Sequence, residues 1–308
     1  MRNRLLILGW HNVESTFCFP SGTGAGVKGL MRQFELLARW MNVVSLPEAL
    51  TVMESGGCLP PRATAITFDD GYQDSLDIVA PILLRMGLPA TFFLVPEFLS
   101  GQLPAWWETV GWAIERSRRP WAAWGDSRYS LADSTRKASY AAILARLKTV
   151  DEETRQRIVR GLVDQLEPEG HPPVPSMFMD WDGARSLQEK GFTIGSHSLR
   201  HVILANETAE TQRDDLRTAR VQLAQGLQGE IDILAYPNGG RRDFNDASID
   251  AARAAGYRAA VTTVEGWNDS STSRYELHRF VVYPEWGLKV AALPPRHIVR
   301  RLTARISA

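Results

Sequence analysis

Hydrophobic positions along the chain follow two periods. Short, nearly uninterrupted apolar or β-branched runs at 4–9, 63–68, 90–95, 192–195, 231–235, 258–263 and 278–283 read as strands covered on both faces. Between them lie segments with helical spacing at 29–41, 47–55, 73–86, 181–190, 208–227 and 244–255. In the segment 208–227, Leu216, Ala219, Leu223 and Leu227 form one stripe, with charges on the other face. Pro81, inside 73–86, predicts a kink or a fresh start, because it lacks an N–H to continue the helix. Strands alternating with helices predict an α/β architecture built on a parallel sheet.

Residues 102–179 depart from that rhythm. They carry helical patterns at 106–117, 135–149 and 151–166, then a loop with Pro172, Pro173 and Pro175, and no strand is expected among them. The chain is therefore expected to be one domain over 1–308, with 102–179 as a helical insertion, a lid or cap between two βα units. From Pro294 onward Arg296, Arg300, Arg301 and Arg305 suggest a solvated helix end.

Composition narrows the classes. The 308 residues include 35 Lys+Arg and 35 Asp+Glu, a net charge of zero that argues against a nucleic-acid partner. A hydrophobic share of 44% suits a packed core rather than disorder. Two cysteines, Cys18 and Cys58, make no disulfide framework and no CxxC metal site, which fits a reducing compartment. No apolar run approaches the roughly 18 residues of a membrane span. The opening Leu5–Leu8 run is interrupted by His11, Asn12 and Glu14, so a first buried strand and a cytoplasmic location, with the membrane surface as an alternative, are expected. Of ten tryptophans, Trp106, Trp107, Trp112, Trp121 and Trp124 crowd into the insertion, either as a helical core or as a surface for sugars or a lipid carrier.

Two constellations carry chemistry. Thr67-Phe68-Asp69-Asp70-Gly71-Tyr72 sits where a buried strand ends, the place where α/β folds put reacting groups. Adjacent carboxylates raise each other's pKa unless a cation or separate tasks divide them, although a DDG also fits a turn that caps the next helix. His197-Ser198-Leu199-Arg200-His201 follows another strand, and its i,i+4 spacing predicts both imidazoles on one side of a helical turn. With Asp70 they make a two-histidine, one-carboxylate set, used by zinc hydrolases and by non-haem iron oxygenases alike.

The motifs Phe68-Asp69-Asp70-Gly71 and His197-x-x-x-His201, followed by Leu234-Ala235-Tyr236-Pro237-Asn238-Gly239, resemble the ordered signatures of the polysaccharide deacetylases, the NodB-homology group or carbohydrate esterase family four. Ala255–Thr263 and Leu277-His278-Arg279-Phe280 match later landmarks, so the resemblance covers roughly 1–100 and 180–285. It implies a distorted (β/α) barrel of about seven strands, Asp69 as catalytic base, and Asp70, His197 and His201 as ligands of a divalent metal, zinc first, with cobalt or nickel as alternatives. It also implies that Tyr236, Pro237 and the backbone N–H of Asn238 form the substrate and oxyanion turn. Ala235 stands where the family usually has an Arg that orients the base, and Arg279 is the substitute expected here. The family's last motif, with its acid histidine, is not evident, since His297 lies in the basic tail with no strand before it. Gly9-Trp10-His11 instead resembles the Tyr-His that opens the permuted exopolysaccharide deacetylases, which implies His11 as the acid.

The activity so implied is removal of N-acetyl or O-acetyl groups from a glycan, free or lipid-linked, with release of acetate. Alternatives are a non-catalytic carbohydrate-binding homologue and a hydrolase of a non-sugar amide. An iron oxygenase fits poorly with alternating strands and helices.

Overall fold

The computed structural model of the chain describes residues 3–17, 26–172 and 174–282; Cys18, the arginine-rich tail and His297 lie outside the described residues. In chain order the elements are β1 (Leu5–Trp10), α1 (Val27–Trp40), β2 (Asn42–Val43), α2 (Leu46–Glu54), β3 (Ala63–Phe68), α3 (Ala80–Met86), β4 (Thr91–Leu94), α4 (Pro96–Leu99) and α5 (Trp106–Arg116). Then come β5 (Trp121–Trp124), β6 (Ser127–Ser130), α6 (Asp133–Leu147), α7 (Glu152–Leu166), α8 (Val174–Met177) and α9 (Trp181–Glu189). The last are β7 (Thr193–Ser196), α10 (Ala209–Leu227), β8 (Ile233–Ala235), α11 (Asp246–Ala254), β9 (Ala259–Val261) and β10 (Phe280–Val281).

Seven parallel strands in the order β10-β1-β3-β4-β7-β8-β9 form the sheet, with β2 beside β3. The sheet curls into a distorted half-barrel flanked by helices. Its two edges approach through one segment: Leu277 bridges to Val261 of β9, while Phe280 and Val281 pair with Leu8 and Gly9 of β1. β1, β3, β4, β8 and β9 are buried along their whole lengths, which is why they read as continuous apolar runs. The helices α1 and α10 each bury one stripe: Leu30, Phe34 and Leu37 on α1, and Leu216, Ala219, Leu223 and Leu227 on α10. Local chemistry starts them, with Thr208 accepting from the N–H of Thr211 at α10 and a reciprocal Asn245–Ser248 capping box at α11. Ahead of α3 the backbone widens into a π turn over Ser75–Val79, next to Pro81 near the start of α3, whose missing N–H cannot continue the i→i−4 ladder.

The segment 102–179 corrects one expectation. It contains an antiparallel hairpin, β5–β6, packed with α6 and α7, where only helices were expected. The hairpin escapes a periodicity scan because each strand has four residues, yet Gly125-Asp126 between them is a two-residue turn with Gly125 at φ 60. Trp106, Trp107 and Trp112 are buried in a second hydrophobic cluster with Val110, Ile143 and Leu162, while Trp121 remains exposed. No helix among the described residues is long and apolar enough to cross a membrane.

Candidate functional site

Parallel register gathers the motif residues at one end of the sheet. Trp10 is paired with Phe68, so the residues that follow, His11 and Asp69, leave adjacent strands side by side. Leu94 is paired with Ser196, and Ser196 with Leu234, which sets His197 beside the carbonyl of Ala235.

Asp69 is 2% exposed and Arg279 fully buried. The guanidinium forks onto the carboxylate, Nη1 donating to Oδ1 at 2.7 Å and Nη2 to Oδ2 at 2.6 Å. Arg279 lies between the residues that bridge β9 and pair with β1, and its side chain crosses the β1 backbone at Gly9. A Cβ there would stand 3.0 Å from Arg279 Cδ and 3.1 Å from Nε, so the glycine clears the path. Burial pushes the Asp69 carboxyl up, but the Arg279 charge, the nearby imidazoles and the fork outweigh it and leave the pKa below the ordinary carboxylate value. Arg279 therefore meets Asp69, the carboxylate it was expected to orient in place of an Arg at Ala235.

Asp70, at φ 71, aims Oδ1 at two imidazoles, 3.4 Å from His197 Nε2 and 3.3 Å from His201 Nε2. The three donor atoms lie within 4.8 Å of one another and all three residues are buried. Two donors each about 2.1 Å from a tetrahedral zinc would stand about 3.4 Å apart, so the spacing fits such an ion. Charge points the same way. His197 Nδ1 lies 2.7 Å from the Ala235 carbonyl and carries the proton of that bond, which turns the Nε2 lone pair toward Asp70. Asp70 Oδ1 is buried without a hydrogen-bond partner, and a divalent cation among the three donor atoms would satisfy it. Burial raises the Asp70 pKa, yet the contacts with His197 and His201 hold it well below the ordinary value.

The histidine segment is not the helical turn that the spacing predicts. Residues 197–203 form a loop, with Ser198 at φ 64 and His201 at φ 55. Asp215 accepts the N–H of Leu199 at 2.9 Å, and Leu199 accepts the N–H of Glu97 at 3.2 Å. Two left-handed residues thus fold the chain back so that both rings reach Asp70. Of seven non-glycine residues with positive φ among the described residues, Asp70, Ser198, His201 and Asn238 belong to this site, a concentration of strain typical of functional loops.

The two imidazole rings are held differently. His197 is fixed by the Ala235 carbonyl, whereas His201 Nδ1 is buried with no hydrogen-bond partner among the described residues. Its ring lies 4.6 Å from that of Trp107 and 6.1 Å from that of Phe98. Trp107 is itself oriented by its indole N–H donating to Tyr72 Oη at 2.9 Å, and Tyr72 donates to the buried Glu108 at 2.9 Å. Sequence reading missed this role of Trp107; the tryptophan crowding was its one signal.

His11, about one-fifth exposed, places Nε2 3.9 Å from Asp69 Oδ2. The N–H groups of Val13 and Glu14 donate to Asp74 and anchor the stretch after it. His11, Asp70, His201, Asn238, Trp106 and Trp107 wall a cavity of about 120 Å³. Asn238 adopts φ 59, and the Thr263 hydroxyl donates to its carbonyl. Tyr236 and Pro237 are not walls of this cavity: Tyr236 is fully buried and stacks on Phe244 at 4.6 Å, a packing role where a substrate contact was expected.

A family model described as polysaccharide deacetylase matches residues 56–260. The YxkH protein of Bacillus subtilis (strain 168) is 19% identical over 286 residues, 91% of this chain and 72% of that protein. A poly-beta-1,6-N-acetyl-D-glucosamine N-deacetylase of Escherichia coli (strain K12) is 32% identical over 91 residues, 29% of this chain and 14% of that protein. Among solved structures, the Streptococcus pyogenes deacetylase PplD in complex with acetate matches with a TM-score of 0.61 at 14% identity, covering 92% of this chain and 94% of that one. The BpsB deacetylase domain from Bordetella bronchiseptica matches with a TM-score of 0.58 at 18% identity, covering 91% and 96%. At these identities the two structures establish likeness of fold.

Proposed function

Because the chain belongs to the polysaccharide deacetylase family, we propose that it is a metal-dependent hydrolase that removes N-acetyl groups from a glycan and releases acetate. The observation that carries this reading is the division of labour between neighbouring carboxylates: Asp70 Oδ1 faces two imidazoles at 3.4 and 3.3 Å, while both oxygens of Asp69 are forked by Arg279 and the nearer imidazole of that donor set, His197, is 4.0 Å away.

Asp70, His197 and His201 would hold the divalent cation, with zinc the first choice. When bound, it would polarise the acetyl carbonyl and make water more acidic. Asp69, kept ionised by Arg279, takes the proton of the attacking water. Its low pKa makes it a weak base, so the fork contributes mainly orientation and a constant charge state. The backbone N–H of Asn238 donates to the oxyanion that develops as the carbonyl carbon becomes tetrahedral. His11, a wall of the cavity with Nε2 3.9 Å from Asp69 Oδ2, donates a proton to the departing amine, without which the C–N bond cannot break cleanly. Trp106 and Trp107 exclude water from the reacting centre and strengthen these electrostatic contacts.

The test is acetate release from N-acetylated oligosaccharides by chelator-treated protein, before and after reconstitution with zinc, cobalt or nickel. The E. coli relative's name makes β-1,6-linked N-acetylglucosamine oligomers the first substrate to try. Metal-dependent release that disappears in Asp69→Asn supports the reading; release indifferent to metal removal overturns it.

A further inference from the structure

The backbone on the N-terminal side of His11 is fixed by the sheet, where the Trp10 carbonyl accepts the N–H of Asp69 at 2.9 Å. On the other side it is gathered by a side chain. Asp74 Oδ2 accepts the N–H of Val13 at 2.6 Å and that of Glu14 at 2.8 Å. Asn12 Nδ2 closes the same turn by donating to the Glu14 carbonyl at 2.5 Å. Bonds from amides to an ionised carboxylate are stronger than those between neutral groups, so this pair holds the stretch that follows the His11 ring.

Asp74 is more than nine-tenths buried, and the turn it precedes does not account for it. It stands at the N-terminal boundary of the π turn Ser75–Val79, yet its side chain makes no capping bond there. Its second oxygen, Oδ1, is buried without a hydrogen-bond partner. Burial, together with the charges of Glu14 and Asp77, pushes the carboxyl up to about 6 despite the two N–H bonds. The side chain thus stabilises residues 13–14 rather than its own turn, and π turns of this kind gather near functional sites.

We propose that Asp74 is a positioning residue for the proton donor: through Val13 and Glu14 it fixes the His11 ring in the cavity wall, 3.9 Å from Asp69. The inference rests on the reading of His11 as the acid of a deacetylase. Residues 69–74 then hold the base directly and the acid through Asp74. One short stretch of chain sets the spacing between proton acceptor and proton donor, on which the rate depends steeply. That stretch is itself anchored, since the Gly71 carbonyl accepts the N–H of Met179 at 2.9 Å.

The test is a cycle of parent, Asp74→Ala, His11→Ala and the double variant, assayed for acetate release at saturating substrate with zinc in excess. His11→Ala should lower kcat by about 10²-fold or more. Asp74→Ala should lower it about tenfold, because a displaced donor transfers its proton poorly. In the double variant kcat should stay within about twofold of His11→Ala alone, since the group through which Asp74 acts is gone. Asp74→Asn keeps a carbonyl oxygen for both N–H groups and should recover kcat to within about threefold of the parent. Amide exchange over residues 12–14, followed by mass spectrometry, should quicken about tenfold or more in Asp74→Ala and be restored in Asp74→Asn. Zinc affinity in a dye competition should be the same in Asp74→Ala as in the parent, whereas a general loosening of the site would lower it.

Losses that multiply in the double variant, full turnover or unchanged exchange in Asp74→Ala, an equal loss in Asp74→Asn, or a matching fall in zinc affinity would each overturn the positioning role. All of these leave the deacetylase reading intact, because the parent still releases acetate. Full kcat in His11→Ala removes the acid assignment and the role of Asp74 with it. A parent that releases no acetate removes the deacetylase reading itself, and the positioning role falls with that.

Discussion

The curled sheet and the segment 102–179 both bury aromatic side chains, to different ends. In the sheet, Trp10, Phe68 and Phe92 stack in sequence at 5.7 and 5.3 Å beneath the strand ends. That stack stiffens the strands whose next residues are His11, Asp69 and Asp70. In the segment 102–179, Trp106 and Trp107 meet edge-to-face at 5.6 Å, and they are themselves walls of the site. The sheet thus supplies every charged group proposed for the chemistry, and the segment 102–179 supplies an aromatic wall beside them. The two meet at His201, whose loop belongs to the sheet and whose ring packs on the insertion's Trp107. A polar centre needs both: charges are strong only where water is excluded, and they stay charged only where partners offset burial.

The sharpest break between the two regions is expected from the sheet's own groups. Asp69→Asn should lower acetate release by about 10³-fold or more with metal content unchanged, because it removes the proton acceptor and keeps the volume. His197→Ala should lose the metal itself; elemental analysis of both variants separates the two effects. Arg279→Gln leaves Asp69 buried without its fork, so stability should fall by about 3–5 kcal/mol in urea unfolding. In Asp69→Asn/Arg279→Gln most of that loss should return, since no unpaired charge is left behind.

Effects from the insertion should be smaller and fall on affinity. Trp107→Ala should weaken zinc binding about tenfold in a competition with a chelating dye, with Trp107→Phe restoring most of it. An unchanged affinity would mean that the loop alone positions His201. The mildest effect concerns the loop supports. Burial pushes the carboxyls of Asp74 and Asp215 up to about 6 from 3.8. With folded values raised, each group favours the fold most below about pH 4, and that contribution is lost as pH rises through about 6. The stability of Asp215→Asn relative to the parent should therefore grow between those limits, by up to about 3 kcal/mol in urea titrations. A flat difference would show that the Leu199 N–H compensates the buried charge.

Much of this was legible in the order of residues. A strand covered on both faces must be apolar throughout, so the sheet strands and the helices between them could be read within a few residues, and Asp69, Asp70 and the histidine pair stood out at strand ends. Other features depend on positions distant in the chain. Whether Arg279 reaches Asp69 turns on the closing segment after β9 and on the gap left by Gly9, neither of which has a local pattern. The histidines converge through two left-handed residues held by Glu97 and Asp215, so i,i+4 spacing suggested the correct proximity for the wrong reason. The β5–β6 hairpin was too short to show a period, and tryptophan crowding could not tell a core from a wall. Local sequence sets which residues are buried and which elements form, because hydrophobic period and caps act within a turn or two. Which buried groups face each other across a site is decided by sheet register and loop closure, which act over hundreds of residues.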